Sequence, residues 1–354
     1  MPTSQLTGAG ASATCGSVAV GSWSLPSGDH LTTSWPGSDP AAGRQCAFWD
    51  RLSAAKAVAS QPGQPLGSAG SAGPGTSRRP DTVSRVERPD WAPAGIDLDR
   101  PSAARVYDYY LGGFHNFEAD REMGRQAIEM WPELPELMKA NRAFLRRAVR
   151  YLANAGIRQF LDIGSGIPTV GNVHEVARQA TPDARVVYVD NDLVAVEHSR
   201  AILAGDAQTE VVQADLRKPD SVLDDPAVAK LFDLSEPVAV LMVAVLHFVS
   251  DDADPLAVIA CYRDAVAPGS FLAISHATSD GQPTTLTESH RGLYRRTATP
   301  MTMRTRAQIA RFFDGFEMVE PGLVYLPQWR PYPGTAVDEH PERFSGFAGV
   351  GRKP

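Results

Sequence analysis

Gln159-Phe-Leu-Asp-Ile-Gly-Ser-Gly166 is a short apolar run that ends in an acid and opens into two glycines. Further apolar runs follow at intervals: Val186-Val-Tyr-Val-Asp190, a stretch closing near Asp215, and Pro237-Val-Ala-Val-Leu-Met-Val-Ala-Val-Leu-His247. Apolar strands alternating with helical segments, and ending in Gly or Asp, describe a doubly wound α/β sheet. Its ligand lies beyond the carboxyl ends of the strands. Strands are expected at 159–163, 185–190, 209–213, 237–245 and 269–275, with helices near 170–180, 192–204, 219–231 and 253–267. The runs at 237–245 and 269–275 are apolar nearly throughout, as strands covered on both faces are. Arg304–Phe313 reads as one more helix, and Phe316–Val319 with Phe347–Gly351 as an antiparallel edge. The expected architecture is a mostly parallel sheet of seven strands.

The glycine loop discriminates between ligands. A dinucleotide site reads Gly-x-Gly-x-x-Gly, so that a pyrophosphate rests on bare amides at a helix N-terminus. Here Thr169 stands three residues after Gly166, and the carboxylate of Asp162 sits at the strand's end. A fixed negative charge disfavours a phosphate and suits a cation. S-adenosylmethionine has a sulfonium, an ammonium and no phosphate, so the loop suits that cofactor better than NAD. Asp162, Gly164, Ser165 and Gly166 are then expected at its methionine end, and Asp190, with Asn191 beside it, at the ribose hydroxyls. Asp215 and Leu216 are expected at the adenine. The competing local roles are an ordinary strand-to-helix turn for the glycines and helix capping for Asn191 or Asp192.

The chain has 34 basic and 41 acidic residues, and its net charge is −7. Residues 1–90 hold 7 basic and 6 acidic side chains, which leaves 27 against 35 in the remainder, net −8. An acidic body is a poor long-range attractor for nucleic acid. Arg142, Arg146, Arg147 and Arg150 share one helix, and the plainer account of them is a solvated face. Cys15, Cys46 and Cys261 are scattered without metal-ligand spacing, so no metal site and no disulfide framework is expected. A reducing cytoplasm is the natural compartment. No apolar run is long enough to span a membrane, and the N-terminus lacks the pattern of a secretory signal. Of the first ninety residues, 48 are Gly, Ala, Ser or Pro, a composition expected to form a disordered tail over 1–90. A short helix is expected within that tail around Phe48–Val58.

Order is expected to begin near Trp91, with a helical segment over 91–155 and the ligand-binding domain over 156–354. Ser102–Leu111 reads as a helix stopped by Gly112-Gly113, and Pro135–Ala153 as a longer one with an apolar stripe. Arg105-Val-Tyr-Asp-Tyr-Tyr-Leu-Gly-Gly113, Asn116-Phe117 and Ala119-Asp-Arg-Glu122 open a resemblance that runs through Asp162-Ile-Gly-Ser-Gly-Ile-Pro-Thr169, His174-Glu-Val-Ala177 and Ala214-Asp-Leu-Arg217. It continues in Val243-Ala-Val-Leu-His-Phe248, Ser275-His-Ala-Thr278, Trp329-Arg-Pro331 and Gly349-Val-Gly-Arg-Lys-Pro354. Over residues 95–354 the chain resembles an actinobacterial family of S-adenosylmethionine-dependent methyltransferases with no assigned acceptor. The resemblance implies the class I methyltransferase fold and S-adenosyl-L-methionine as cofactor. It departs at Phe114-His115, where such proteins often carry a lysine and a small polar residue, and at Ser165, where Thr is common.

His247, at the end of the fourth strand, is the candidate to orient or deprotonate an acceptor. Its ordinary pKa of about 6.5 suits a base near neutrality. The competing account is a histidine satisfied by backbone. Phe248 beside it, with Tyr110, Asn116 and Arg121 from the N-terminal segment, are candidates for the acceptor side or a lid. The expected activity is in-line methyl transfer to a small molecule. The alternatives are a catalytically silent module that binds or senses S-adenosylmethionine, an NAD-dependent oxidoreductase, and a nucleic-acid methyltransferase. The oxidoreductase is disfavoured by the missing third glycine and the nucleic-acid enzyme by the net charge.

Overall fold

A computed structural model describes residue 89 and residues 91–354, except for 169, 170 and 337. The tail expected over 1–90, with its short helix, lies outside the described residues apart from Pro89.

Five parallel strands form the body of the sheet: β1 (Gln159–Ile163), β2 (Arg185–Asp190), β3 (Thr209–Gln213), β4 (Val238–Val243) and β5 (Phe271–Ala277). β6 (Glu317–Met318), β7 (Val324–Tyr325) and β8 (Gly346–Arg352) complete it in the order β3-β2-β1-β4-β5-β8-β6, with β7 also on β8. β8 runs antiparallel to β5. On its other side it pairs with β6 at Gly351 and Arg352, and with β7 at Phe347 and Ala348. Among the described residues, eight strands therefore fill seven positions, because the last position is shared by two short strands. Pro321, which has no amide hydrogen for a ladder, and Gly322 at φ +83° separate them.

The helices are α1 (Ala103–Tyr110), α2 (Glu118–Met130), α3 (Leu134–Asn154), α4 (Val173–Arg178), α5 (Leu193–Ile202), α6 (Pro219–Leu223), α7 (Pro226–Leu231), α8 (Pro255–Ala265), α9 (Thr284–Tyr294) and α10 (Arg306–Ala310). The single helix expected over 219–231 is two. Pro226 can only begin a helix here, and Asp225 caps it by accepting the Ala227 amide at 2.8 Å. α2 and α9, which the sequence reading does not expect, each bury only a narrow stripe with few apolar residues: Met123 and Ala127 in α2, Leu293 and Tyr294 in α9. Gly124 in α2 is bare because the ring of Tyr109 packs there, with its nearest atom 2.3 Å from where a Cβ would stand.

Alternate strand residues feed two cores, one on each face of the sheet. Leu161, Ile163, Val187, Val189, Met242 and Ile274 pack with Val222, Val228 and Tyr262 of α6, α7 and α8. Phe160, Val186, Leu241 and Ala273 pack with Phe144, Leu145 and Leu152 of α3. Each fully buried large side chain contributes roughly 1.5–3 kcal/mol. A third cluster joins Val106, Tyr110, Met123, Trp131, Leu134, Leu293 and Tyr294, so α1, α2, α9 and the start of α3 form one helical cap. α1 in this cap shares a cavity wall with the carboxyl ends of β1, β2 and β4.

Candidate cofactor site at the carboxyl ends of the strands

The chain leaves β1 through Gly164 at φ +71° and Gly166 at φ +66°, a region that glycine enters without strain. A side chain on Gly164 would meet Val245 at 2.3 Å, so this loop lies tight against the turn after β4. The Val189 carbonyl accepts the Gly164 and Ser165 amides at 2.8 and 3.1 Å. Asp190 ties the same loop to β2, its Oδ2 accepting the Gly166 amide at 2.7 Å. Its Oδ1 accepts the Asp192 amide at 2.8 Å. Asp192 in turn caps α5 by accepting the amides of Val194 and Ala195, while Asn191 is exposed. Capping therefore falls to Asp192.

These elements enclose a cavity of about 410 Å³, within the range of small-molecule sites. Asp162, Gly164, Ser165, Gly166, Asp190, Asn191, Asp215 and Leu216 all line it, as does Phe248. Residues far apart in sequence are brought together because Asp162 and Asp190 stand in the last residues of the parallel strands β1 and β2, and Asp215 stands just past β3. Asp215 accepts from Arg217, with Nη2 to Oδ2 at 2.6 Å, and this partner holds its carboxyl below the usual pKa. Burial does the opposite to the two inner acids. Asp162 is pushed up to about 7, with Arg142 opposing the rise and Asp190 adding to it. Asp190 is raised by burial to about 6, against the pull of the Asp192 and Gly166 amides.

Arg142 is the residue that periodicity missed. The four arginines of α3 do not share a solvated face. Arg147 is buried, its Nε and Nη2 donating to the Trp329 and Leu326 carbonyls, each at 2.7 Å. Arg150 is exposed and covers the Tyr332 ring at 4.5 Å. Arg142 lines the cavity, and its buried Nε has no hydrogen-bond partner among the described residues. Arg105, from α1, also lines the cavity, with Nε 3.5 Å from Asp120 and 3.6 Å from Asp192. It fastens the cap over β2 and α5.

The remaining sequence candidates stand elsewhere. Tyr110 is buried in the cap, its hydroxyl 3.3 Å from that of Tyr294. Asn116 donates from Nδ2 to Asp108 at 2.8 Å and to the Gly113 carbonyl at 3.0 Å. Arg121 donates to the Asn116 carbonyl at 2.8 Å and pairs with Glu118 on the surface. Neither Tyr110, Asn116 nor Arg121 is in the cavity wall. The residues around Gly112-Gly113 are occupied in building the cap, with Asp108 as their buried anchor. His247 lies behind the turn at Ala244, lining a smaller chamber rather than the main cavity. Its Nδ1 accepts the Ala277 amide at 3.4 Å. Burial, reinforced by His276, Arg304 and His290, pulls its pKa well below 6.5. Burial therefore works against the protonated ring, and the imidazole faces the chamber.

Fold and cavity together define a nucleoside-binding α/β domain of the methyltransferase type. The sequence model of the family described as S-adenosyl methyltransferase matches residues 89–354, and the chain belongs to that family. Its cofactor is S-adenosyl-L-methionine. A Thermobifida fusca protein of known structure, provisionally named a methyltransferase, is 44% identical over 75% of this chain and 99% of its own, with a TM-score of 0.71. A DUF574 family protein from Streptomyces avermitilis is 41% identical over 73% of this chain and 99% of its own, with a TM-score of 0.70. No curated protein matches the chain. Among the described residues, no helix is long and apolar enough to cross a membrane.

The cavity fits the cofactor. The Arg142 guanidinium, whose buried Nε has no partner among the described residues, suits a carboxylate, and the buried Asp162 nearby suits an ammonium. Among the described residues, six acidic and four basic side chains line it, a balance that would oppose a pyrophosphate.

Proposed function

We propose that this protein transfers a methyl group from S-adenosylmethionine to a small-molecule acceptor by in-line displacement. The observation that carries the reading is the convergence of Asp162, Asp190 and Asp215, from three strand ends, on one cavity with Arg142. Arg142 holds the methionine carboxylate and Asp162 the ammonium. Asp190 accepts from the ribose hydroxyls, its orientation set beforehand by the Gly166 and Asp192 amides. Asp215 accepts from the adenine amine, with Leu216 against the ring. When bound, the cofactor supplies an electrophilic methyl on a sulfonium. The chain then has three tasks: alignment, exclusion of water by the α1–α2 cap, and a place for the acceptor beside Phe248. His247 serves in orienting the acceptor. A cytoplasmic setting and a non-nucleic-acid acceptor agree with the scattered cysteines and the acidic body.

The test is incubation of the full chain with methyl-labelled cofactor and a fractionated cell extract. Label is expected in low-mass compounds and to be lost in Asp190→Ala. Label in RNA or protein, or cofactor binding without any labelled product, would overturn the reading. The second result would instead favour a silent binding module.

A further inference from the structure

Behind the cofactor cavity lies a second space of about 50 Å³. The two share Ala103, Tyr107, Asn141, Ala244 and Phe248 as a common wall. A hydrogen-bonded chain stiffens that wall. Asn141 donates to the Tyr107 hydroxyl at 2.9 Å and accepts from Ser275 at 2.6 Å. Ser275 Oγ in turn accepts the Ala244 amide at 2.9 Å.

The chamber differs from the cavity in kind. Among the described residues lining it, none is charged. Trp131, Phe248 and Tyr294 supply aromatic walls, and Met138, Met301 and Met303 supply unbranched ones. The space is smaller than the roughly 150 Å³ that holds a benzene ring in a rigid apolar cavity, so a ring enters only by displacing these methionines. Burial disfavours the protonated form of its three histidines. Burial takes His290 down to about 4 and His276 to about 3, and pulls His247 well below the usual value. Among the described residues, no group of three or more His, Cys, Asp or Glu is placed to hold a metal ion.

Two polar groups in this apolar wall have no partner. Both ring nitrogens of His290, which is 3% exposed, are buried without a hydrogen bond among the described residues. So is Oγ of Ser345, 2% exposed. Ser345 sits at φ +42° and Ala244 at φ +58°, left-handed conformations that non-glycine residues adopt at a cost and that cluster at ligand sites. A buried polar group left unmatched is destabilising, and a ligand that matches it recovers that loss. A neutral imidazole offers one N–H and one lone pair, and a hydroxyl both donates and accepts.

We propose that this chamber is the acceptor subsite, and that it takes an uncharged aromatic molecule whose hydroxyl is held by His290 and Ser345. The word acceptor rests on the methyltransferase reading; the chemistry of the ligand rests on the chamber alone. His276 is already satisfied, with its Nδ1 to the Ala277 carbonyl at 2.7 Å and Arg304 donating to Nε2 at 3.0 Å. His290 and Ser345 are therefore the groups that select the ligand.

The test is ligand-detected NMR titration of the full chain with phenol, toluene and benzoate, without and with saturating S-adenosylhomocysteine. Phenol is expected to bind, toluene about tenfold more weakly, and benzoate more weakly still. In His290→Phe, which keeps a ring and removes both nitrogens, phenol should fall to the level of toluene. Ser345→Ala should reduce the preference in part, and decides the matter with the wild-type ranking if the first variant does not fold. Absence of phenol binding, benzoate binding as well as phenol, or a preference unchanged by either substitution would overturn the proposal. Calorimetry with S-adenosylmethionine on the same samples reports separately on the methyltransferase reading. Failure there removes the acceptor role and leaves the ranking of the three probes to stand or fall by itself.

Discussion

The two adjoining spaces are built on opposite principles. The main cavity stands at the carboxyl ends of the parallel strands and is lined by ten charged side chains. The chamber behind it is lined by rings, methionines and histidines, with no charge among the described residues. The first suits a zwitterion that carries an additional cation. The second would penalise any ion brought into it, because no charged side chain among the described residues lines it to offset the lost hydration. Division of labour follows from this contrast: charge recognition on one side of the Ala244 turn, shape and hydrogen-bond recognition on the other.

The sharpest way to break the contrast is at the loop that both β1 and β4 press upon. Gly164→Val would force a branched side chain into the left-handed region and into Val245. Loss of cofactor binding is expected, with destabilisation of about 3 kcal/mol or more in denaturant unfolding. Arg142→Ala should weaken cofactor binding by roughly 10- to 150-fold, the worth of a hydrogen bond to a charged group. Because its Nε has no hydrogen-bond partner among the described residues, the unfolding midpoint should barely move. Phenol binding in the chamber should stay within about twofold.

The proposed role of Asp162 predicts that cofactor affinity depends on pH. The Asp162 pKa of about 7 leaves it neutral in acid, so affinity for a cationic ligand should fall as pH drops below that value, by at most about tenfold per unit. The sign for folding without ligand is reversed. A carboxyl raised above its ordinary value stabilises the fold at low pH, and that contribution is lost as pH rises through about 7. Calorimetry between pH 5.5 and 8.5 (about one unit and a half to either side) checks the first, and thermal unfolding the second. The smallest effect is expected from His290→Phe on the cofactor, less than about twofold, since His290 belongs to the chamber wall alone.

What could be read from the chain differs between the two spaces for a physical reason. The cofactor cavity is made by strand ends, and strand ends are local. An apolar run stops, and the next residues are Gly164 and Gly166, or Asp190, or Asp215. The chamber joins Tyr107, Trp131, His247, His290 and Ser345, which no short window contains. Nothing in the local pattern separates His290, buried on a mixed helix, from a surface histidine. Arg142 shows the limit of helical periodicity. It marks Arg142 as outside the apolar stripe of α3, but a polar face can look onto a cavity as well as onto water. At the sheet edge, the run 316–319 announced β6, whereas two-residue β7 was too short to leave an alternation. Tyr110, Asn116 and Arg121 stood out through a motif, and these three are spent on the cap's own hydrogen bonds, while Arg105, Tyr107 and Asp108 of the same motif line the cavity.

The most direct test is calorimetric titration of the full chain with S-adenosylmethionine and S-adenosylhomocysteine, beside NAD, in wild type and Arg142→Ala. Micromolar binding of the first two, weakened at least tenfold by the substitution, with no heat from NAD, is the predicted result. Binding of NAD in preference, or cofactor binding indifferent to Arg142, would contradict the assignment of this cavity.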